Sequence, residues 1–102
     1  MSTLHLPPEL SIYTAAELHP QWLAWAQQQA PAPAPALVDG AAVDQVDAAG
    51  VQLLIALQRG LSARGCALRL HAPSRPLSQA CAALGLDGWL AQLQVPFSTE
   101  VA

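Results

Sequence analysis

The stretch Ala36–Leu57, ALVDGAAVDQVDAAGVQLLIAL, decides how the chain is read. Its first half, Leu37 to Val46, is rich in apolar and small residues and free of helix caps, which predicts a central strand. Asp47 then precedes two alanines, a glycine and an apolar run from Val51 to Leu57. A strand that stops at a polar residue and turns at once into a buried helix is one half of an α/β unit. The helix is expected from about Ala48 to Arg64, with Asp47 as its cap and Gly65 as a left-handed stop. Val51, Leu54, Leu57 and Leu61 fall on one face, widened by Leu53 and Ile55, while Gln52, Arg59 and Ser62 fall on the other. The Asp47-Ala48-Ala49-Gly50 corner is where such a unit presents a surface, because corners are exposed and the elements beside them are rigid.

Downstream of this unit, Cys66 to His71 alternates with period two and predicts a strand with Arg69 turned outward or toward an edge. Ala72 to Pro76 breaks that strand and opens a helix whose stripe is Leu77, Ala80, Cys81 and Leu84, ended by Gly85. Asp87 is expected to cap a short last helix, Gly88 to Leu93, to which Trp89 and Leu90 bring apolar surface. Residues 94–102 form a weakly specified tail.

Upstream, residues 27–36 contain an Ala/Pro tract, QQQAPAPAP over Gln27–Pro35, that cannot continue a helix and favours an extended connector. Before it, Thr14-Ala15-Ala16-Glu17 reads as a capping box, with Tyr13 and Leu18 as its hydrophobic staple. Leu18, Trp22 and Trp25 follow at i, i+4, i+7, a stripe that faces a sheet; at that spacing tryptophans belong to a core rather than to a ligand platform. Residues 1–9 carry Pro7 and Pro8, so any strand there is short and lies at an edge or is interrupted.

One hundred and two residues support one small domain, 1–102. Apolar residues make up 53% and charged residues 11%, a balance that excludes a disordered chain. Four arginines, no lysine and a net charge of −3 leave no basic stripe for nucleic acid or for an anionic membrane surface. No run of about 18 apolar residues is present to span a bilayer, and MSTLHLPPEL lacks the basic and apolar regions of a signal peptide, so a cytoplasmic protein without membrane insertion is expected. Cys66 and Cys81 follow no metal spacing and read as two buried thiols.

The element order and its corners resemble the STAS domain, the fold of anti-sigma-factor antagonists and of sulfate-transporter tails. LSIYTAAEL is similar to the family's strand-to-first-helix segment, and LVDGAAVDQVDAAGVQLLIAL to its central strand, corner and second helix. GCALRLHAPSRPL is similar to the third-strand exit, and LSQACAALGLDGWL ends in the family's leucine-glycine-leucine pattern. The likeness runs from about Leu10 onward, and the wording of Ile12–Leu18 is nearest to chemotaxis-associated members. It implies an α/β fold with a roughly four-stranded mixed sheet and helices mainly on one face.

The resemblance also implies a role. In that family the residue after the corner aspartate is usually a serine or threonine that a partner kinase phosphorylates, placing charge at a helix N-terminus. Here that position is Ala48, followed by Ala49, so the switch cannot operate at this corner. Ser11, where many antagonists carry aspartate, and Thr14 are the alternative hydroxyls. The expected function is therefore a non-enzymatic interaction module that binds its partner independently of phosphorylation. Its expected face comprises Ser11, Tyr13, Thr14, Asp47, Ala48, Ala49, Gly50, Gln52 and Arg59. The implied partner is a protein: an anti-sigma-factor kinase, a chemotaxis component or a transport ATPase-like protein. A weak homodimer is left open.

Two other classes remain in view. One is a module sensing a nucleotide or a lipid-related small molecule, or a subunit of a lipid-transport assembly; Gly50 alone is no phosphate loop. The other is an enzyme, but His5, His19, His71, Asp39, Asp44, Asp47 and the cysteines form no visible nucleophile–base pair. On a continuous strand Asp39 and Asp47 would face one way and Asp44 the other, so no metal site and no cofactor are expected.

Overall fold

The computed structural model describes residues 3–29 and 35–94. Along the chain it contains β1 (Leu4–His5), β2 (Glu9–Leu10), α1 (Ile12–Gln27), β3 (Ala36–Asp39), β4 (Gln45–Val46), α2 (Ala48–Ala63), β5 (Leu68–His71), α3 (Arg75–Ala83) and α4 (Asp87–Leu93). Strands alternate with helices and every strand pair is parallel, which makes this a small α/β fold. The strands form a three-stranded sheet, β1-β3-β5, and a two-stranded one, β2-β4, rather than one four-stranded mixed sheet.

The expected strand from Leu37 to Val46 is thus two strands in two sheets, and the cause is local. The Asp39 carboxylate accepts the Ala41 N–H at 2.8 Å, which closes an Asx-type turn. Gly40 lies so close to the Leu77 and Leu70 side chains and to the Pro73 backbone that a Cβ there would stand 3.2–3.4 Å from them. The N-terminal segment breaks at the same height, where Pro7 and Pro8 offer no N–H to a ladder. Thus β1 pairs with β3, β2 pairs with β4, and the Pro8 carbonyl accepts the N–H groups of Asp44 and Gln45 across the gap.

Burial alternates along the larger sheet. Ala36, Val38, Leu68 and Leu70 are buried, whereas Leu37 and His71 are exposed and Arg69 is half-buried. One face therefore carries the core, and the helices cover mainly that face. Their contributions include Trp22 and Ala26 of α1, Val51, Leu54, Leu57 and Leu61 of α2, Leu77 and Cys81 of α3, and Leu90 and Leu93 of α4. Trp22 is 3% exposed and Trp25 packs against the same cluster, the core role expected of that stripe. Cys66 and Cys81 are buried thiols that are not joined in a disulfide, and burial pushes the Cys81 thiol up.

Several helix ends differ from their expected places. α1 begins at Ile12 with Ser11 as its cap, so Thr14 is the third helical residue of the capping box rather than the cap itself. Tyr13 is 87% exposed and staples nothing. Pro20 sits inside α1 on its exposed side, and the helix continues through it. Leu84 is exposed and has left the α3 stripe, since it is the C-cap residue before Gly85 turns at φ 75. Asp87 is the first residue of α4 rather than its cap, and favours that helix only as a carboxylate in the first turn. Part of the expected connector, residues 30–34, and the tail beyond residue 94 lie outside the described residues.

Candidate partner-binding site

α1 and α2 are each 16 residues long and lie side by side with the same polarity. Neither helix has an acidic residue in its own first turn. Asp47 serves both: one carboxylate oxygen accepts the Gly50 N–H at 3.0 Å as the α2 cap, and the other accepts the Ile12 N–H of α1 at 3.1 Å. Those amide donors, Ile12 first and Gly50 second, hold its carboxyl below the usual carboxylate range. A negative charge between two helix N-termini also complements both macrodipoles. The aspartate expected to cap one helix also holds the first amide of a second, whose own cap is Ser11.

Gly50 shows why this corner needs a glycine. A Cβ on it would be driven into the Leu10 carbonyl group of β2, so the first turn of α2 can approach β2 only without a side chain. Gly50 is buried and offers nothing to a partner except the close packing it permits.

The hydroxyls beside the corner are committed inside the fold. Ser11 is 7% exposed; its Oγ donates to the Glu9 carboxylate at 2.6 Å and accepts the Tyr13 N–H at 3.1 Å. Thr14 Oγ1 accepts the Ser11 N–H at 3.0 Å and faces the Glu9 carbonyl at 3.1 Å. Ser11 therefore leaves the expected contact face and belongs to its support, and Thr14 is half-buried beside it.

What remains outside is a compact set. Ala48 is exposed at the tip, Ala49 is half-buried, and Gln52 is exposed one turn along α2. Tyr13 at 87% and Ile12 at 66% stand exposed on the first turn of α1. Ile12 was not among the residues singled out from the sequence, yet its N–H holds Asp47 and its side chain extends the apolar surface. Its signal would have been an apolar residue directly after a capping serine. Arg59 is exposed but lies about three turns along α2 from Ala48, so it is not part of the corner. Asp39, Asp44 and Asp47 do not gather: Asp39 faces His5 at 3.7 Å and closes its own turn, Asp44 is exposed, and Asp47 bridges the helices. Among the described residues no three metal-capable side chains come together.

With this geometry in place the family match becomes legible: a family described as "Mlab, STAS domain" matches residues 1–95. The chain belongs to the STAS family. STAS domains are protein–protein interaction modules, generally without enzymatic activity, of the kind that includes anti-sigma-factor antagonists. No curated protein matches the chain. No helix among the described residues of this STAS domain is long and apolar enough to cross a membrane.

Proposed function

We propose that this STAS domain is a non-enzymatic binding module of bacterial signalling or transport whose partner engages the α1–α2 corner without phosphorylation control. One observation carries the reading. The corner is built as a switch corner would be, with Asp47 fixing two helix N-termini, yet the exposed residue at its tip is Ala48. Ser11 and Thr14 do not replace the missing hydroxyl, since both are hydrogen-bonded within the fold. The exposed aromatic and aliphatic side chains of Tyr13 and Ile12 beside Ala48 supply the kind of anchor that dominates protein interfaces. The partner is a protein of the classes named by the resemblance, a kinase, a chemotaxis component or a transport ATPase, and regulation resides on that partner. The module works in the cytoplasm.

The ligand-sensing alternative has less support. The cavity between α1 and α2 has a volume of about 40 Å³, well below the roughly 300 Å³ at which small-molecule sites begin. A cleft of about 420 Å³ by the start of β5 is large enough, but its lining (Gln58, Ser62, Gly65, Cys66, Ala67, Leu68, Gln92 and Leu93) carries no charge to hold a phosphate.

The test is a pull-down from the native host with wild type, Ala48→Glu and Tyr13→Ala. Wild type is expected to retain a protein that both variants lose. Equal retention by all three would place the interface elsewhere, and capture of nothing by any of them would favour the ligand-sensing reading.

A further inference from the structure

The larger sheet ends in a row of three metal-capable residues. His5, Asp39 and His71 are the last residues of β1, β3 and β5, and the register sets His5 opposite Asp39 and Asp39 opposite His71. Register partners share one face of a sheet. Here it is the face away from the core, since the preceding residues Val38 and Leu70 are buried while His5 and His71 are exposed. Backbone hydrogen bonds hold the row side by side: the Leu6 N–H donates to the Asp39 carbonyl at 2.9 Å, and the Gly40 N–H to the His71 carbonyl at 3.0 Å. Both histidines lie more than thirty positions from Asp39 along the chain, so only the fold joins them. Open α/β sheets bind their ligands outside the carboxyl ends of their strands, which is where this row stands.

His5 Nδ1 is 3.7 Å from Asp39 Oδ2. That is too long for a charge-assisted hydrogen bond, which closes to about 2.7–2.9 Å. It is near the roughly 3.4 Å that separates two ligand atoms each about 2.1 Å from a tetrahedral zinc ion. The other carboxylate oxygen, Oδ1, accepts the Ala41 N–H at 2.8 Å, the kind of outer-shell bond that orients a metal-ligating carboxylate. As the side chains stand no three metal-capable groups converge, so the third ligand has to swing in. His71 is exposed, and its ring can change rotamer without disturbing the core. A ring nitrogen about 4.5 Å from its Cα, with a bond of about 2.1 Å, reaches about 6.5 Å, enough to cross the roughly 4.8 Å between strands to a cation lying over Asp39.

We infer that His5, Asp39 and His71 bind one divalent transition-metal ion of the zinc class, with water in the remaining position. Two imidazoles and one carboxylate suit such a borderline cation, whereas calcium and magnesium call for oxygen donors. The bound ion ties all three strands together at one end. This goes beyond the partner-binding reading and does not rest on it, because no residue of the row belongs to the corner.

Isothermal titration of the metal-free full chain with zinc chloride tests it, beside thermal unfolding with and without the ion. Wild type is expected to bind one ion per chain, and its midpoint to rise with zinc concentration, since only the folded state assembles the row. His5→Ala and His71→Ala, both at exposed positions, should each weaken binding by about tenfold or more, no less than the loss of an outer-shell partner costs. Asp39→Asn, which keeps an oxygen for the Ala41 N–H, should weaken it likewise while circular dichroism stays unchanged. His19→Ala, on α1, should bind as wild type does. Absence of zinc binding by wild type overturns the inference, and so does binding that survives both histidine changes, which would assign the ion to another site such as the thiols. No partner protein enters the measurement, so its failure leaves the corner reading untouched.

Discussion

The two ends of the α1–α2 pair are closed by opposite means. At the N-terminal end a single carboxylate accepts from both helices, and the adjoining turn packs so tightly on β2 that only glycine fits. At the C-terminal end one arginine reaches back from the α2 cap to the carbonyl of Gln27, with the Gln29 carbonyl at 3.4 Å. Both charges suit the macrodipoles they meet. They differ in what surrounds them: Asp47 works inside a corner that also holds Ser11, Thr14 and Glu9 in a hydrogen-bonded knot, whereas Arg64 is exposed and works alone. Positional precision is concentrated at the end where the proposed partner surface lies.

Breaking that contrast begins with the glycines of α2. Gly50→Ala should cost about 3 kcal/mol or more in denaturant unfolding, because the new methyl group collides with backbone that cannot swing aside. Next in size is Asp47→Ala, which uncaps α2 and takes the acceptor from the first amide of α1, and should lower the thermal midpoint well beyond any change at the other end. This effect depends on pH. The folded carboxyl is held below its ordinary value, so its stabilisation is fully present above a pH of about 3.9 and disappears as pH falls through the lowered folded value. Acid titration of wild type against Asp47→Asn should show two stability curves that converge at the acid end. Gly60→Ala, in the same helix as Gly50, should act in the opposite direction and stabilise by about 0.5–1 kcal/mol, since the position is open and alanine is the better helix former. Arg64→Ala should be smallest, within about 0.5 kcal/mol of wild type. An Arg64 effect as large as that of Asp47 would erase the asymmetry.

Much of this layout was legible because its signals are local. Asp47 before Ala-Ala-Gly, the Val51–Leu61 stripe, Gly65 and Gly85 as stops, and Pro76 in a first turn each need only their neighbours, and each stands where expected. The start of α1 was harder. Ser11 and Thr14 are both good caps three residues apart, and the choice falls to Ser11 with the help of Asp47, which accepts the N–H of Ile12 from 35 positions away. The split of the central strand did have a local mark, the Asp39-Gly40 turn pair, but its force comes from the matching break at Pro7-Pro8, which is a relation between two segments. The exposure of the proposed contact face was partly legible for the same reason. Tyr13, Ala48 and Gln52 are exposed as expected, whereas Ser11 and Gly50 were drawn inward by contacts that no periodicity reports.

The parallel register carries a consequence for how the chain reaches this state. Leu4 pairs with Val38, Glu9 with Gln45 and Ala36 with Leu68, each across more than thirty positions, and no described strand pairs through a tight hairpin. The loop-closure entropy of each pairing therefore falls due before any ladder contact repays it. Both sheets should be absent from a nascent chain until β3 and β4 have been made, because β1 and β2 have no partner before then, and the three-stranded sheet must wait further for β5. During synthesis the early segments depend on α1, the one element upstream of β3 whose hydrogen bonds close within a few residues.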